Sequence, residues 1–122
     1  MIVAVFVRKL KPGVTFEKFE RVWEADEGYS VPARVFNAVS LEDPREVLSV
    51  GFVGVAAEAM KAMSPSAAEH DRGRHDRIDA VIESTELKAI YELRSEHDFT
   101  ESPRAIGLGS AESLLEPLPE AE

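Results

Sequence analysis

Asp71, Arg74 and His75 are spaced to meet on one side of a helix: Asp71 and His75 are i, i+4 neighbours, and Arg74 adjoins them. A carboxylate beside an imidazole orients the ring and supports general-base work near neutral pH. An arginine next to that pair can stabilise an oxyanion such as an enolate or phenolate. The segment that carries the trio, Ser64 to Ile82, opens on Ser64-Pro65: a capping oxygen, then a ring that pre-sets φ and needs no amide proton. At about 100° per residue, Ala67, Ile78, Val81 and Ile82 share one face. The trio falls on or beside that stripe, where a plain packing helix would carry Leu or Val. This reads as one wall of a pocket, with His75 as base, Asp71 as its orienter and Arg74 as charge stabiliser. The plainer reading is that HDRGRHDR is a solvated, self-paired helix face.

Four further residues are candidates to shape that pocket. Trp23 and Phe19 lie on the inner stripe of an earlier helix, and an indole N–H wants a partner when buried. Asn37 interrupts the apolar strand face of Val35, Val39 and Leu41; a buried amide must be hydrogen-bonded, to a ligand or to a neighbour. Tyr91, on the last strand, serves the pocket or an interface. For Phe16 and Phe19 the plainer reading is core packing. A metal site is not expected. His70 and His75 are five residues apart, about 140° around a helix, His97 is the only other histidine, and there is no cysteine. No phosphate-binding glycine loop or serine elbow is present; Gly107-Leu108-Gly109 lacks the strand and the further glycine such a loop needs.

The elements that must position these groups follow from pattern. With 122 residues, 44% apolar, the chain suits one domain with a real core. Its net charge of −9 argues against a nucleic-acid or anionic-membrane surface. MIVAVFVRKL has neither a basic n-region nor a cleavage site and reads as a strand rather than a signal peptide; with no apolar run near the ~20 residues of a span, a cytoplasmic protein is expected. Ile2 to Leu10 forms a strand, with Val3, Val5 and Val7 on one side and Ala4, Phe6 and Arg8 on the other. Lys11-Pro12-Gly13 turns the chain, and Thr15 caps a helix running to about Asp26. Ala33 to Leu41 and Glu46 to Val53 form a hairpin. A short helix over Ala56 to Met63 bends at Pro65 into the long one, and Glu86 to Arg94 is the closing strand. A domain over residues 1–99 is expected, followed by an acidic, Pro/Gly-containing tail over 100–122, mobile or docked on a partner.

The order strand, helix, strand, strand, helix, strand is that of a split-βαβ, ferredoxin-like α+β fold: a four-stranded antiparallel sheet with its helices on one face. Ala4, Phe6, Phe36 and Ala38 suggest that the uncovered face is apolar, and a second copy is its cheapest cover. With these elements placed, the chain resembles the dimeric α+β barrel superfamily, and within it the antibiotic-biosynthesis-monooxygenase-like proteins. The resemblance covers Met1 to about Phe99. It rests on element order, on the strand opening at Met1, on Phe16, Phe19 and Trp23 in the first helix, and on the closing ELKAIYEL. It implies a sheet-to-sheet homodimer holding a small-molecule ligand between each sheet and its helices. It also implies a cofactor-free monooxygenase acting on an aromatic or enolisable compound, in which the substrate carbanion itself reduces oxygen. Haem-degrading members carry an Asn on the first strand, where this chain has Val3, Val5 and Val7, which points away from that branch. An isomerase or dehydratase using the same base is one alternative. A non-catalytic dimeric ligand-binding or interaction module is the other.

Overall fold

The computed structural model describes residues 1–24, 31–61 and 75–115. Asp71 and Arg74, with His70, Gly28 and the Ser64-Pro65 junction, lie outside the described residues. The architecture is α+β. Strands β1 (Ile2–Leu10), β2 (Ala33–Val39), β3 (Glu46–Val53) and β4 (Ile82–Glu92) form one antiparallel sheet in the order β2-β3-β1-β4. Helix α1 (Phe16–Trp23) follows β1, helix α2 (Ala57–Lys61) follows β3, and residues 75–79 are helical just before β4. This strand order is compatible with a ferredoxin-like sheet.

β1 is central because both its faces are apolar and both its edges are paired. It runs Ile2 against Val53 on one side and against Glu92 on the other. After it, Gly13 takes φ 84°, a left-handed turn conformation that a side chain disfavours. Thr15 then caps α1 by accepting from the Lys18 amide at 3.2 Å, and Glu17 and Arg21 suit the helix dipole at the two ends. The helix ends at Trp23, short of Asp26, with Glu24 as its C-cap. The β2–β3 connection is held by Ser40, whose hydroxyl accepts from the amides of Glu42 and Asp43, and by Asp43, which accepts from the Arg45 amide. Those two turn positions and the three bonds fix the hairpin register, Asn37 opposite Ser49.

Pleat and register sort the sheet into two faces. Phe6 opposes Ser49, which opposes Asn37; Ala4 opposes Gly51, which opposes Val35. This face carries the helices. Leu10, Phe19, Val47 and Ile78 are fully buried and, with Val81 and Ile82, make the core; Val14, Phe16, Val22 and Trp23 pack around them. Each such side chain contributes about 1.5–3 kcal/mol by leaving water. The other face shows Val3, Val5 and Val7, flanked by Phe36 and Phe52 in edge-to-face contact at 6.0 Å. The expectation that Ala4 and Phe6 share the uncovered face with Phe36 and Ala38 is thus corrected. Phe36 opposes Val50, which opposes Val5, one residue out of phase with Phe6.

Two other expectations are corrected. The closing strand begins at Ile82, four residues before Glu86, and Ile82 leaves the helix to pair with Leu10. Two register shifts against β1 allow this: between Val7 and Arg8, and between Lys9 and Leu10, β4 carries an extra residue, Glu86 and Glu83 in turn. These bulges break the two-residue period, so the start of the strand does not look like one. Residues 96–115 are structured as well. β5 (Glu96–Asp98) pairs with β6 (Arg104–Ile106), so the boundary expected at residue 99 falls inside a hydrogen-bonded hairpin. Arg104 joins Asp98 at 3.2 Å and Glu112 at 2.7 Å, and Glu96 accepts from the Ser113 hydroxyl and the Leu114 amide.

Candidate functional site

The helix-side face of the sheet, beyond the sealed core, gathers the polar groups capable of chemistry. β1 supplies Phe6 and Arg8, two residues apart and therefore on the same side. Arg8 is only 3% exposed, and its guanidinium lies over the Phe6 ring, 4.3 Å from the centroid. The helical residues 75–79 bring His75 down onto the same ring, centroid to centroid 5.9 Å at a 40° tilt. From the neighbouring strands Ser49, buried, donates to Asn37 Oδ1 at 2.6 Å. Lys88, from β4, places its ammonium 6.0 Å from the Phe6 centroid. Arg8, His75 and Lys88 thus each bring a nitrogen-bearing group toward one phenyl ring.

The helical piece bearing His75 is held in position at its end. Ile78 is fully buried in the core, and the Arg77 guanidinium donates to the Glu24 carbonyl. Lys11 Nζ donates to the Ala80 carbonyl at 3.0 Å, and the Lys11 amide donates to the Val81 carbonyl at 3.0 Å. A cation at a helix C-terminus is well placed for the dipole. His75 is therefore carried by a segment anchored to both α1 and the turn after β1.

Of the residues the sequence singles out, His75 and Asn37 come to this face. Asn37 is paired to a neighbouring strand, and with Oδ1 occupied its amide nitrogen remains a donor. Phe19 has no exposed surface and is committed to the core, the plainer of its two readings. Trp23 is half-buried and packs against that core. Tyr91 is on the opposite face: it opposes Val3 on β1 and is 51% exposed, so the sheet separates it from His75 and Asn37. Arg8 is the residue that sequence reasoning passed over. Its signal was visible, since it is a lone cation on the Phe6 side of an otherwise apolar central strand.

Among the described residues no group of three or more His, Asp or Glu side chains is arranged to hold a metal ion. No helix of the described residues is long and apolar enough to cross a membrane. A half-open depression of ≈ 340 Å³ lies elsewhere, at the β5–β6 turn, lined by Asp98, Thr100, Glu101, Ser102 and Arg104. Two of its charged groups are engaged with each other: Asp98 accepts from Arg104 and from the Thr100 amide. The Thr100 amide is the chief reason the Asp98 carboxyl is held below its usual range. That depression is a structural joint rather than a reactive centre. Comparison with known proteins finds no matching family, no matching characterised protein and no matching solved structure.

Proposed function

We propose that the chain is a homodimeric protein with a small-molecule pocket between sheet and helices, similar to the cofactor-independent monooxygenases of the dimeric α+β barrel superfamily. The ligand is an aromatic or enolisable compound. The observation that carries this reading is the convergence of Arg8 and His75 on the Phe6 ring, with Asn37 two strands away on the same face of the sheet. Chemistry of this type needs a base, an anion stabiliser and exclusion of water. His75 is the base. Arg8 is a buried counter-charge for the enolate, joined in this reading by Asp71 as the orienter of His75 and by Arg74.

The dimer half of the proposal rests on the other face. Its centre is apolar, built on Val3, Val5 and Val7, while Phe36 and Tyr91 remain 57% and 51% exposed. Charged groups keep to its margins: Lys9 pairs with Asp43 at 3.1 Å, and Arg34 is the second residue of β2. An apolar centre inside a charged rim is the anatomy of a protein interface, and a two-fold copy meets it with the same surface.

Oxygen uptake with a panel of enolisable aromatic ketones and hydroquinones, in buffer stripped of metals, tests the catalytic half. The intact protein should consume oxygen, and His75→Gln should lower the rate by about 10²-fold. Exchange of the substrate α-proton with deuterated solvent without oxygen uptake would move the assignment to an isomerase or dehydratase on the same base. Binding with neither would leave a ligand-binding module.

A further inference from the structure

The β5–β6 hairpin has two unlike sides. Glu96, Asp98, Arg104 and Ile106 share one of them, and the turn over residues 110–115 closes it: Glu112 joins Arg104, while Ser113 and Leu114 donate to Glu96. His97 and Ala105 face the other way. There the Phe99 ring stacks on His97, centroids 6.1 Å apart at 11°, and Phe99 keeps 73% of its surface exposed. A ribbon with two strands of three residues is marginal by itself, and ion pairs between exposed side chains add little to it. An aromatic pair on such a ribbon contributes most where a second surface covers it.

A second copy of the chain offers that surface. Its open sheet face exposes Phe36, Leu48, Leu87 and Tyr91. Four strands about 4.8 Å apart, each showing about five residues of 3.4 Å rise, give that face a footprint on the order of 300 Å². Each partner in a stable interface brings roughly 800 Å². Sheet on sheet therefore falls short, and a further contact has to supply the rest. The hairpin is well placed for it. β4 ends at Glu92 and β5 begins at Glu96, and the Leu93 amide donates to the Met1 carbonyl at 2.9 Å, which holds the exit against β1. Tyr91, at that exit, lies on the open face, so the hairpin leaves from the rim of the surface that a second copy meets. Charge agrees as well. Residues 96–115 hold four carboxylates, Glu96, Asp98, Glu101 and Glu112, against Arg104 alone, while Arg34 stands at the margin of the open face.

We infer that the β5–β6 hairpin is an arm that docks on a second copy of this chain, its His97–Phe99 pair lying on the partner's open sheet face, each copy receiving the other's arm. The inference rests on the two-fold dimer proposed above and adds the place of its second contact.

Sedimentation of the full chain tests it, together with isotope-filtered NOE spectra of a dimer mixed from ¹³C-labelled and unlabelled chains. Contacts should run between chains from the His97 and Phe99 rings to Val and Leu methyl groups of the open face. Phe99→Ser should raise the dissociation constant about tenfold and His97→Ala about threefold. Both side chains are exposed, so the variants keep the fold, and the NOE arm needs no variant at all. A dimer with no contact from either ring across the chains would overturn the arm and leave the dimer standing. A dissociation constant that Phe99→Ser leaves unchanged would do the same. A single chain at micromolar concentration would remove the dimer and the arm together.

Discussion

Glu96 shows how one side chain can hold a whole segment. Its carboxylate accepts from the Ser113 hydroxyl at 2.6 Å and from the Leu114 amide at 3.0 Å, and these bonds, the hydroxyl first, keep its pKa below the usual 4.5. A carboxyl whose folded value is depressed contributes stability above its unfolded value and loses it as pH falls through the folded one. Hydrogen exchange at Leu114 and across β5–β6 should therefore quicken as the solution is acidified below about pH 4. Glu96→Gln should show the fast exchange already at neutral pH, with the four-stranded sheet unaffected. Nothing in the sequence pairs residue 96 with 113, because no periodicity links positions that meet through a turn. Arg8 teaches the opposite lesson. Its parity with Phe6 was legible, but its 3% exposure is set by tertiary packing.

At the scale of elements, α1 is the plainest case of local chemistry deciding structure. Thr15 as cap, Glu17 in the first turn and Arg21 in the last each agree with the helix, and the stripe of Phe16, Phe19 and Trp23 agrees with the sheet beneath it. Thr15→Ala should lower stability by about 1 kcal/mol, measured as a fall in denaturant midpoint at constant slope. The strand β4 is the contrary case. Its 11 residues absorb two extra positions as bulges, and its first residue, Ile82, has the same apolar character as a helix residue. A β-branched side chain at that position suits either state, and the partner decides: Leu10 on β1 and the Lys11 amide bonded to the Val81 carbonyl. The two bulges also twist an exposed edge strand, which hinders pairing with stray strands.

For the whole molecule, the two faces of one sheet divide the work. The helix side holds the core at the Leu10 end and the nitrogen cluster around Phe6; the open side is a broad apolar surface with Phe36 and Leu48 exposed. The proposed dimer makes a direct prediction. Sedimentation at micromolar concentration should find two chains per particle, and Phe36→Glu should raise the dissociation constant by about 30-fold or more, a loss of about 2 kcal/mol. Because Phe36 is 57% exposed in the single chain, the substitution leaves the core intact, and a particle of unchanged mass would count against a dimer through this face.

Composition, turn residues and apolar periodicity determined the strands β1 and β3 to the residue, the capped helix α1 and the hairpin between β2 and β3, because each is specified by near neighbours along the chain. Only the tertiary structure decided which side of β1 faces the helices, that Tyr91 lies across the sheet from His75, that Arg8 is buried against Phe6, and that residues 96–115 close on themselves. Those outcomes depend on register between distant strands, and a shift of one residue exchanges every side chain between faces. Local pattern carries no information about that choice; the packing of Phe19, Val47 and Ile78 into one core does.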